Sequence, residues 1–140
     1  MKLRRVAVTG LGALTPIGNT VPEYWNGLLN GVSGARMITR FNAEKFKTRF
    51  ACEVKNYDAS AHFDRKEARK FDPFTQYALV STEEAIKDSG MDIENLNLDR
   101  IGVIWGSGIG GLQTFLENAV EFARGDGTPR FNPFFIPKMI

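Results

Sequence analysis

One cysteine and one histidine, Cys52 and His62, are the residue types that could supply a nucleophile and its general base. A thiol becomes a good nucleophile only beside an activating base or positive charge, and a third group normally orients that base. Cys52 and His62 lie ten positions apart in a loop-rich stretch, and no orienting third residue is evident. Cysteine is also among the residue types most often buried, and we assign neither Cys52 nor His62 to catalysis.

Three glycines, Gly106, Gly108 and Gly111, have the spacing of a dinucleotide-binding motif and stand between a predicted strand and a predicted helix. That motif also needs a second strand about 20 residues later, ending in an acidic residue that binds the ribose. Here the corresponding position falls in a turn at residues 126–129, with no apolar strand before it. We therefore interpret these glycines as positions where the backbone closely approaches other backbone or a ligand. A Rossmann-type dehydrogenase remains the alternative.

A third group with possible chemistry is a cluster of four basic residues: Arg65, Lys66, Arg69 and Lys70. If this segment is helical, the spacing places all four side chains on one broad face. Such a face attracts an acidic protein or a phosphate-bearing group. The other interpretation is a solvated surface that Asp64 and Glu67 partly neutralise, and the residues alone leave both interpretations open.

Strands alternating with helices must position these groups. The apolar residues 6–9 predict a buried strand that runs into a tight turn at Gly10 and Gly12. Thr20 and Glu23 have the spacing of a capping box, and Gly31 is placed to end the helix that follows. Residues 32–62 predict loops with one short strand within residues 50–54.

Two further helices follow in the second half of the sequence. Asp72 caps the first, Pro73 suits its first turn, and Gly90 ends it. A second buried strand is predicted at residues 101–105, and a third helix then runs from Leu112 to a stop at residues 125–127. Alternating strands and helices with glycines at the strand ends indicate an α/β fold.

Composition restricts the class of protein. The 140 residues are 43% hydrophobic, enough for a core, and 18 basic against 16 acidic residues give a net charge of +2, too small to indicate nucleic acid. One cysteine and one histidine exclude an internal disulfide and a Cys/His zinc site. We find no signal peptide and no run of the roughly 20 apolar residues that span a bilayer. These observations predict a soluble cytoplasmic protein with no membrane partner.

Several segments, in order, resemble the beta-ketoacyl synthase family, most closely its elongating type II members from bacterial fatty-acid synthesis. No single segment is specific, but their order and spacing cover nearly the whole chain. The matching segments are residues 5–12 with 15–18, 38–41, 64–70, 74–78, 100–103, 106–111 and 133–137.

This resemblance implies that residues 1–140 are the incomplete N-terminal part of a thiolase-like layered α/β fold. It implies a decarboxylating Claisen condensation in which acyl carrier protein delivers phosphopantetheine-linked acyl and malonyl groups, with no other cofactor and no metal. It also implies a cytoplasmic homodimer.

The resemblance assigns roles by position. Ile109 matches a residue lining the acyl-chain pocket, and Phe135 matches a pocket residue that reaches the neighbouring subunit's tunnel. Lys66, Arg69 and Lys70 match the basic patch that docks acyl carrier protein. For the basic cluster, the resemblance therefore favours a partner-binding face over a merely solvated surface. Arg130 extends that patch, although relatives often carry two basic residues there.

No catalytic residue is assigned. In the family the nucleophilic cysteine follows the Phe-Phe-x-Pro segment and two histidines lie further on, whereas Cys52 stands where relatives carry glycine. The last ten residues, 131–140, are apolar and proline-punctuated, so we expect the sequence to stop within a domain. The 140-residue chain is therefore predicted to be inactive alone, and a non-catalytic carrier-protein-docking fragment is the remaining alternative.

Overall fold

The computed structural model describes residues 3–140, which fold as two compact units. The first unit contains the residues up to Tyr57 together with Val80–Asn95, and the second contains Asp58–Leu79 and Leu96–Ile140. The elements in chain order are α1 Val21–Leu29, β1 Arg36–Met37, β2 Phe50–Ala51, α2 Arg65–Ala68, α3 Pro73–Ser89, α4 Leu112–Arg124 and α5 Phe135–Met139, with short 3-10 helices at Ala59–Ala61, Ile93–Asn95 and Leu98–Arg100.

The predicted helix boundaries are confirmed. Thr20 caps α1, its side chain accepting a 3.3 Å hydrogen bond from the amide of Glu23. The carboxylate of Glu23 accepts from the amide of Asn19 at 2.8 Å, one residue before the amide that a standard capping box would satisfy. Gly31 and Gly90 both adopt positive φ, at 61° and 64°, just after the last turns of α1 and α3.

The turn at Gly10 and Gly12 packs directly on the backbone of α3. A Cβ atom at Gly12 would lie 1.8 Å from the carbonyl oxygen of Ser81, and one at Gly10 would lie 2.1 Å from that of Ala85. Ser81 and Ala85, the residues that face the turn, are both small. The contact therefore depends on small residues on α3 and on the missing side chains in the turn.

Two carboxylates on α3 hold the same region through backbone amides. Glu84 accepts 2.8 Å hydrogen bonds from the amides of Ala13 and Val21, one with each carboxylate oxygen. Asp88 accepts from the amide of Leu11 at 2.9 Å. Because Val21 is the first residue of α1, Glu84 also satisfies an amide that the helix itself leaves unpaired.

The strand predicted within residues 50–54 is confirmed as β2, which pairs antiparallel with β1 in the register Arg36↔Ala51 and Met37↔Phe50. Next to this hairpin, Glu53 accepts a 2.7 Å hydrogen bond from the hydroxyl of Thr39. That bond is the main cause that holds the pKa of Glu53 below its usual value, and amide hydrogen bonds from Thr39 and Arg40 act in the same direction. Glu53 is therefore an ionised acceptor at neutral pH.

The strands predicted at residues 6–9 and 101–105 are wrong as assigned. A strand forms only when its amides and carbonyls pair with a neighbouring strand, and none of the residues 3–140 supplies that neighbour for these two segments. Their apolar side chains are correspondingly exposed: Val6 by 92%, Val8 by 80% and Ile104 by 99%. Apolar composition predicted burial there, but burial depends on the availability of a partner.

We predict that Gly12→Ala destabilises the protein by about 3 kcal/mol, because the added methyl group would overlap the carbonyl oxygen of Ser81 and force the turn off α3. The free energy of unfolding from urea titration measures this loss. Gly102→Ala is the matched control, since a Cβ there meets no atom within 4 Å, and it should change stability by no more than about 0.5 kcal/mol. Equal stability of the two variants would contradict the contact.

We predict that Glu84→Gln lowers the free energy of unfolding by about 2 kcal/mol, because the amide side chain keeps one acceptor oxygen and turns a donor toward the second backbone amide. Glu83→Gln removes the same charge from the adjacent, exposed position and should have little effect. Parallel urea titrations compare them. If both variants lose the same stability, net charge and not the two hydrogen bonds would explain the result.

Candidate functional site

The basic cluster lies on a short helix that is capped from its N-terminal side. Asp64 accepts hydrogen bonds from the amides of Lys66 and Glu67, at 2.7 and 2.8 Å, through one carboxylate oxygen. The helix spans Arg65–Ala68, and Arg69 continues it in αR conformation as the C-cap residue. Lys66, Arg69 and Lys70 are all exposed, so the predicted helical turn displays its positive charges to solvent.

A buried amide side chain fixes the other end of this helix. Gln76, on α3, is only 8% exposed and donates hydrogen bonds to the carbonyl oxygens of Ala68 and Phe71, at 3.1 and 3.2 Å. These bonds satisfy carbonyls at the end of α2 and tie the basic residues to a longer helix. Gln76 was not predicted as a structural residue, and its only signal in the sequence is a polar residue near the start of the predicted helix.

Arg130 is exposed and carries its own counterion. Its guanidinium lies 3.2 Å from the carboxylate of Asp126, and both side chains are largely in solvent. A hydrogen bond from the amide of Thr128 is the main cause that holds the pKa of Asp126 below its usual value. Asp126 therefore remains negatively charged at neutral pH and partly neutralises Arg130.

The glycine-rich loop packs against the backbone of α5. The amide of Gly111 donates to the carbonyl oxygen of Met139 at 3.3 Å, and a Cβ at Gly111 would lie 2.1 Å from the carbonyl oxygen of Lys138. Gly110 has a φ of 71°, and its amide donates to the hydroxyl of Ser107 at 3.0 Å. The preferred interpretation, backbone against backbone, is thus confirmed at the third glycine of the motif, where a dinucleotide would require space.

The two predicted pocket residues lie on either side of this contact. Ile109 is in the loop itself and is 73% exposed. Phe135 begins α5 and is partly buried within a row of aromatic rings, with centroid distances of 5.5 Å to Phe131 and 6.4 Å to Phe115. The row continues to Phe122, 5.8 Å from Phe131. The aromatic row is an apolar cluster, and Ile109 exposes an aliphatic side chain in the glycine-rich loop.

This second unit is also joined by a buried polar contact. Asp72, which is 4% exposed, accepts a 2.5 Å hydrogen bond from the hydroxyl of Thr114, which is 6% exposed. The other oxygen of Asp72 accepts from the amide of Phe74 at 3.4 Å, as expected for the predicted cap. The start of α3 is thereby attached to α4, the helix that follows the glycine-rich loop.

Cys52 and His62 remain without support as a catalytic pair. Cys52 is exposed and belongs to the first unit, whereas His62 ends a 3-10 helix in the second. Although cysteine is a residue type that is often buried, the side chain of Cys52 is exposed. Within residues 3–140 no group of three or more His, Cys, Asp or Glu side chains is arranged to hold a metal ion. No helix in the same range is long and apolar enough to cross a membrane.

Similar proteins were found by sequence. The 3-oxoacyl-[acyl-carrier-protein] synthase 2 of Staphylococcus aureus (strain N315) is 48% identical over 137 residues, covering 98% of this chain and 33% of the relative. The Synechocystis protein of the same name is 47% identical over 140 residues, covering 100% of this chain and 33% of the relative. The chain thus spans about a third of the length of these relatives.

Solved structures share the fold. The ishigamide ketosynthase/chain length factor superposes with a TM-score of 0.75 and 28% identity, covering 95% of this chain and 33% of that one. A chain of a complex between a type II PKS acyl-carrier protein and its ketosynthase superposes with a TM-score of 0.74 at 22% identity, covering 95% and 34%. These likenesses confirm the predicted class, part of a thiolase-like α/β fold.

Residues 3–140 match the family described as beta-ketoacyl synthase, N-terminal domain, which is nearly the entire chain. The dinucleotide-binding alternative has no support from this match or from the packing of Gly111. The chain belongs to the beta-ketoacyl synthase family, in the region of its N-terminal domain.

Proposed function

We propose that this chain is part of a 3-oxoacyl-[acyl-carrier-protein] synthase that elongates fatty acids. The observation that carries the proposal is 48% identity over 98% of the chain to a relative of that name. Because the chain spans about a third of that relative, the reaction is proposed for the whole protein. Within residues 1–140, which we propose as the N-terminal part of the synthase domain, we look for recognition of the carrier and of the acyl chain.

The proposed reaction has two stages. An acyl group passes from the thiol of its carrier protein to a cysteine of the enzyme, so one thioester breaks as another forms. Malonyl carrier protein then loses carbon dioxide, and the resulting carbanion attacks the enzyme-bound thioester. The cysteine thiolate leaves, takes up a proton, and 3-oxoacyl carrier protein is released. Backbone amides that stabilise the negative charge on the attacked carbonyl oxygen would lower the barrier.

For the basic face, defined as Lys66, Arg69 and Lys70, we propose docking of the acidic acyl carrier protein. Lys66 lies in the helix held by Asp64 and Gln76, and Arg69 and Lys70 follow at its C-terminal end, so the three exposed cations form a fixed pattern of charge. A fixed pattern steers an acidic partner into one orientation and accelerates its association. Arg130 would extend the face, with Asp126 as the counterion that the carrier protein displaces.

For the acyl chain, we propose that Ile109 and Phe135 line part of its pocket. Phe135 would do so across the interface of a homodimer, which we propose as the working assembly in the cytoplasm. The aromatic row around Phe135 supports this role, because apolar rings in contact form a surface that a hydrocarbon can bury against. We propose no catalytic residue among these 140, and no metal or cofactor beyond the carrier's phosphopantetheine arm.

We predict that Lys66→Glu with Arg69→Glu weakens binding of acyl carrier protein by roughly tenfold or more, because two attractive charges become repulsive. Fluorescence anisotropy with a labelled holo carrier protein measures the affinity. Added salt should weaken the binding of the unaltered protein and affect the double variant less, since screening acts on the same charges.

The matched control is Lys87→Glu with Arg100→Glu, which changes net charge equally at exposed positions outside the basic face. It should retain the affinity of the unaltered protein. An equal loss in both double variants would show that the carrier protein responds to net charge alone, and the assignment of the basic face would then be rejected.

We predict that the whole protein converts acyl and malonyl carrier proteins into 3-oxoacyl carrier protein and carbon dioxide, and that Cys52→Ser leaves the rate within about twofold of the original. Exposed Cys52 has no role in the proposed chemistry, so removal of its thiol should not affect the reaction. Mass spectrometry of the carrier-bound product measures the rate. Loss of condensation in Cys52→Ser, with folding retained, would overturn the assignment, and absence of the product from the unaltered protein would overturn the proposed function.

A further inference from the structure

Two buried polar side chains meet at the start of α4. Asp72 is 4% exposed, and its carboxylate accepts a 2.5 Å hydrogen bond from the hydroxyl of Thr114, which is 6% exposed and lies 42 residues away in the sequence. Both residues belong to the second unit. Removing two polar groups from water is unfavourable unless they bond to each other, so this contact is a fixed point of the unit.

This fixed point determines where the glycine-rich loop, residues 106–111, ends. Gly111 is both the last residue of the loop and the N-cap residue of α4, and its carbonyl oxygen accepts a 3.0 Å hydrogen bond from the amide of Phe115. Thr114 lies in the helical turn that this bond closes. The loop therefore enters a turn whose place is set by the bond between Thr114 and Asp72.

The first turn of α3 also contacts the loop at a second point. A Cβ atom at Gly110 would lie 4.0 Å from the ring of Phe74, and the amide of Phe74 donates to the carboxylate of Asp72 at 3.4 Å. Gly110 follows Ile109 directly and has a φ of 71°, a conformation that fixes the direction in which the chain leaves Ile109. Asp72 thus supports the residue after Ile109 from two sides, through Thr114 and through Phe74.

We propose that Asp72 is a positioning residue for acyl-chain recognition. Through Thr114 it holds Ile109 in place along the acyl pocket, and it thereby sets the chain length that the enzyme prefers. The inference rests on the proposed function, in which Ile109 lines part of that pocket. Burial of each further methylene group of a hydrocarbon favours binding by about fourfold, so a shift of one lining side chain changes the preference between long and short chains.

A purely structural role for the same hydrogen bond predicts a different result. A bond that only stabilises the fold changes the fraction of folded protein, and its loss reduces the rate for every substrate by the same factor. Displacement of Ile109 instead reduces the rate mainly for acyl chains that are long enough to contact it. The ratio of kcat/KM for a long acyl chain to kcat/KM for a short one therefore separates the two roles.

The test measures this ratio in the whole protein with tetradecanoyl and hexanoyl carrier protein as acyl donors. Thr114→Val keeps the shape of the side chain but leaves the buried carboxylate without its donor, which releases the first turn of α4. We expect it to lower the ratio of tetradecanoyl to hexanoyl kcat/KM by about fourfold or more. Thr114→Ser keeps the hydroxyl and should retain the original ratio. Asp72→Asn offers that hydroxyl a weaker acceptor and should give an intermediate ratio.

The matched control is Thr39→Val. The hydroxyl of Thr39 donates to the carboxylate of Glu53 at 2.7 Å in the first unit, so this substitution removes the same kind of hydrogen bond from another part of the chain. It should leave the ratio unchanged. An equal fall in Thr39→Val and Thr114→Val would overturn the proposal, and so would an unchanged ratio in Thr114→Val with folding retained.

Circular dichroism of each variant establishes whether it folds. If Thr114→Val does not fold, Asp72→Asn decides by itself: a lowered ratio supports the proposal and an unchanged ratio overturns it. The outcome for the proposed function is read separately from the unaltered protein. If that protein forms 3-oxoacyl product from neither donor, the proposed function fails and this inference fails with it. If product forms and the ratio does not respond to Thr114 or Asp72, only the inference is rejected.

Discussion

The carboxylate of Glu84 is the interaction on which the first unit depends. Its two oxygens accept from amides that lie eight residues apart along the chain, at Ala13 and Val21, and so fix both the glycine turn and the start of α1 on one helix. Backbone amides removed from water need an acceptor, and an ionised carboxylate is a strong one. The contact is possible because Gly12 lets the turn approach α3 without a side chain between them.

In the second unit, hydrogen bonds and a close backbone contact at glycine again join the elements, through different residues. Asp72 accepts from Thr114, Gln76 donates to the end of α2, and Gly111 lets the glycine-rich loop approach the backbone of α5. The buried hydrophobic side chains among the described residues, Ala43 and Val80, both belong to the first unit, so polar contacts are prominent in the second. Hydrogen bonds of this kind fix the relative orientation of the segments that they join, because a hydrogen bond requires a defined geometry and apolar packing does not.

The surroundings of the basic face matter as much as its charge. On the basic face the cations stand on a helical turn fixed by Asp64 and Gln76, which suits a protein partner that must dock in one orientation.

The sequence by itself determined the bounds of α1, α3 and α4 and the family, because caps, glycine stops and apolar spacing act over a few residues. Thr20, Asp72, Gly31 and Gly90 all occupy the predicted positions for that reason. Tertiary structure alone decided the contacts of Glu84, whose partners Ala13 and Val21 are more than 60 residues away in the chain and leave no local signal. It also decided that residues 6–9 and 101–105 do not form the predicted strands. Their composition fits a buried strand, but a strand exists only where another backbone pairs with it.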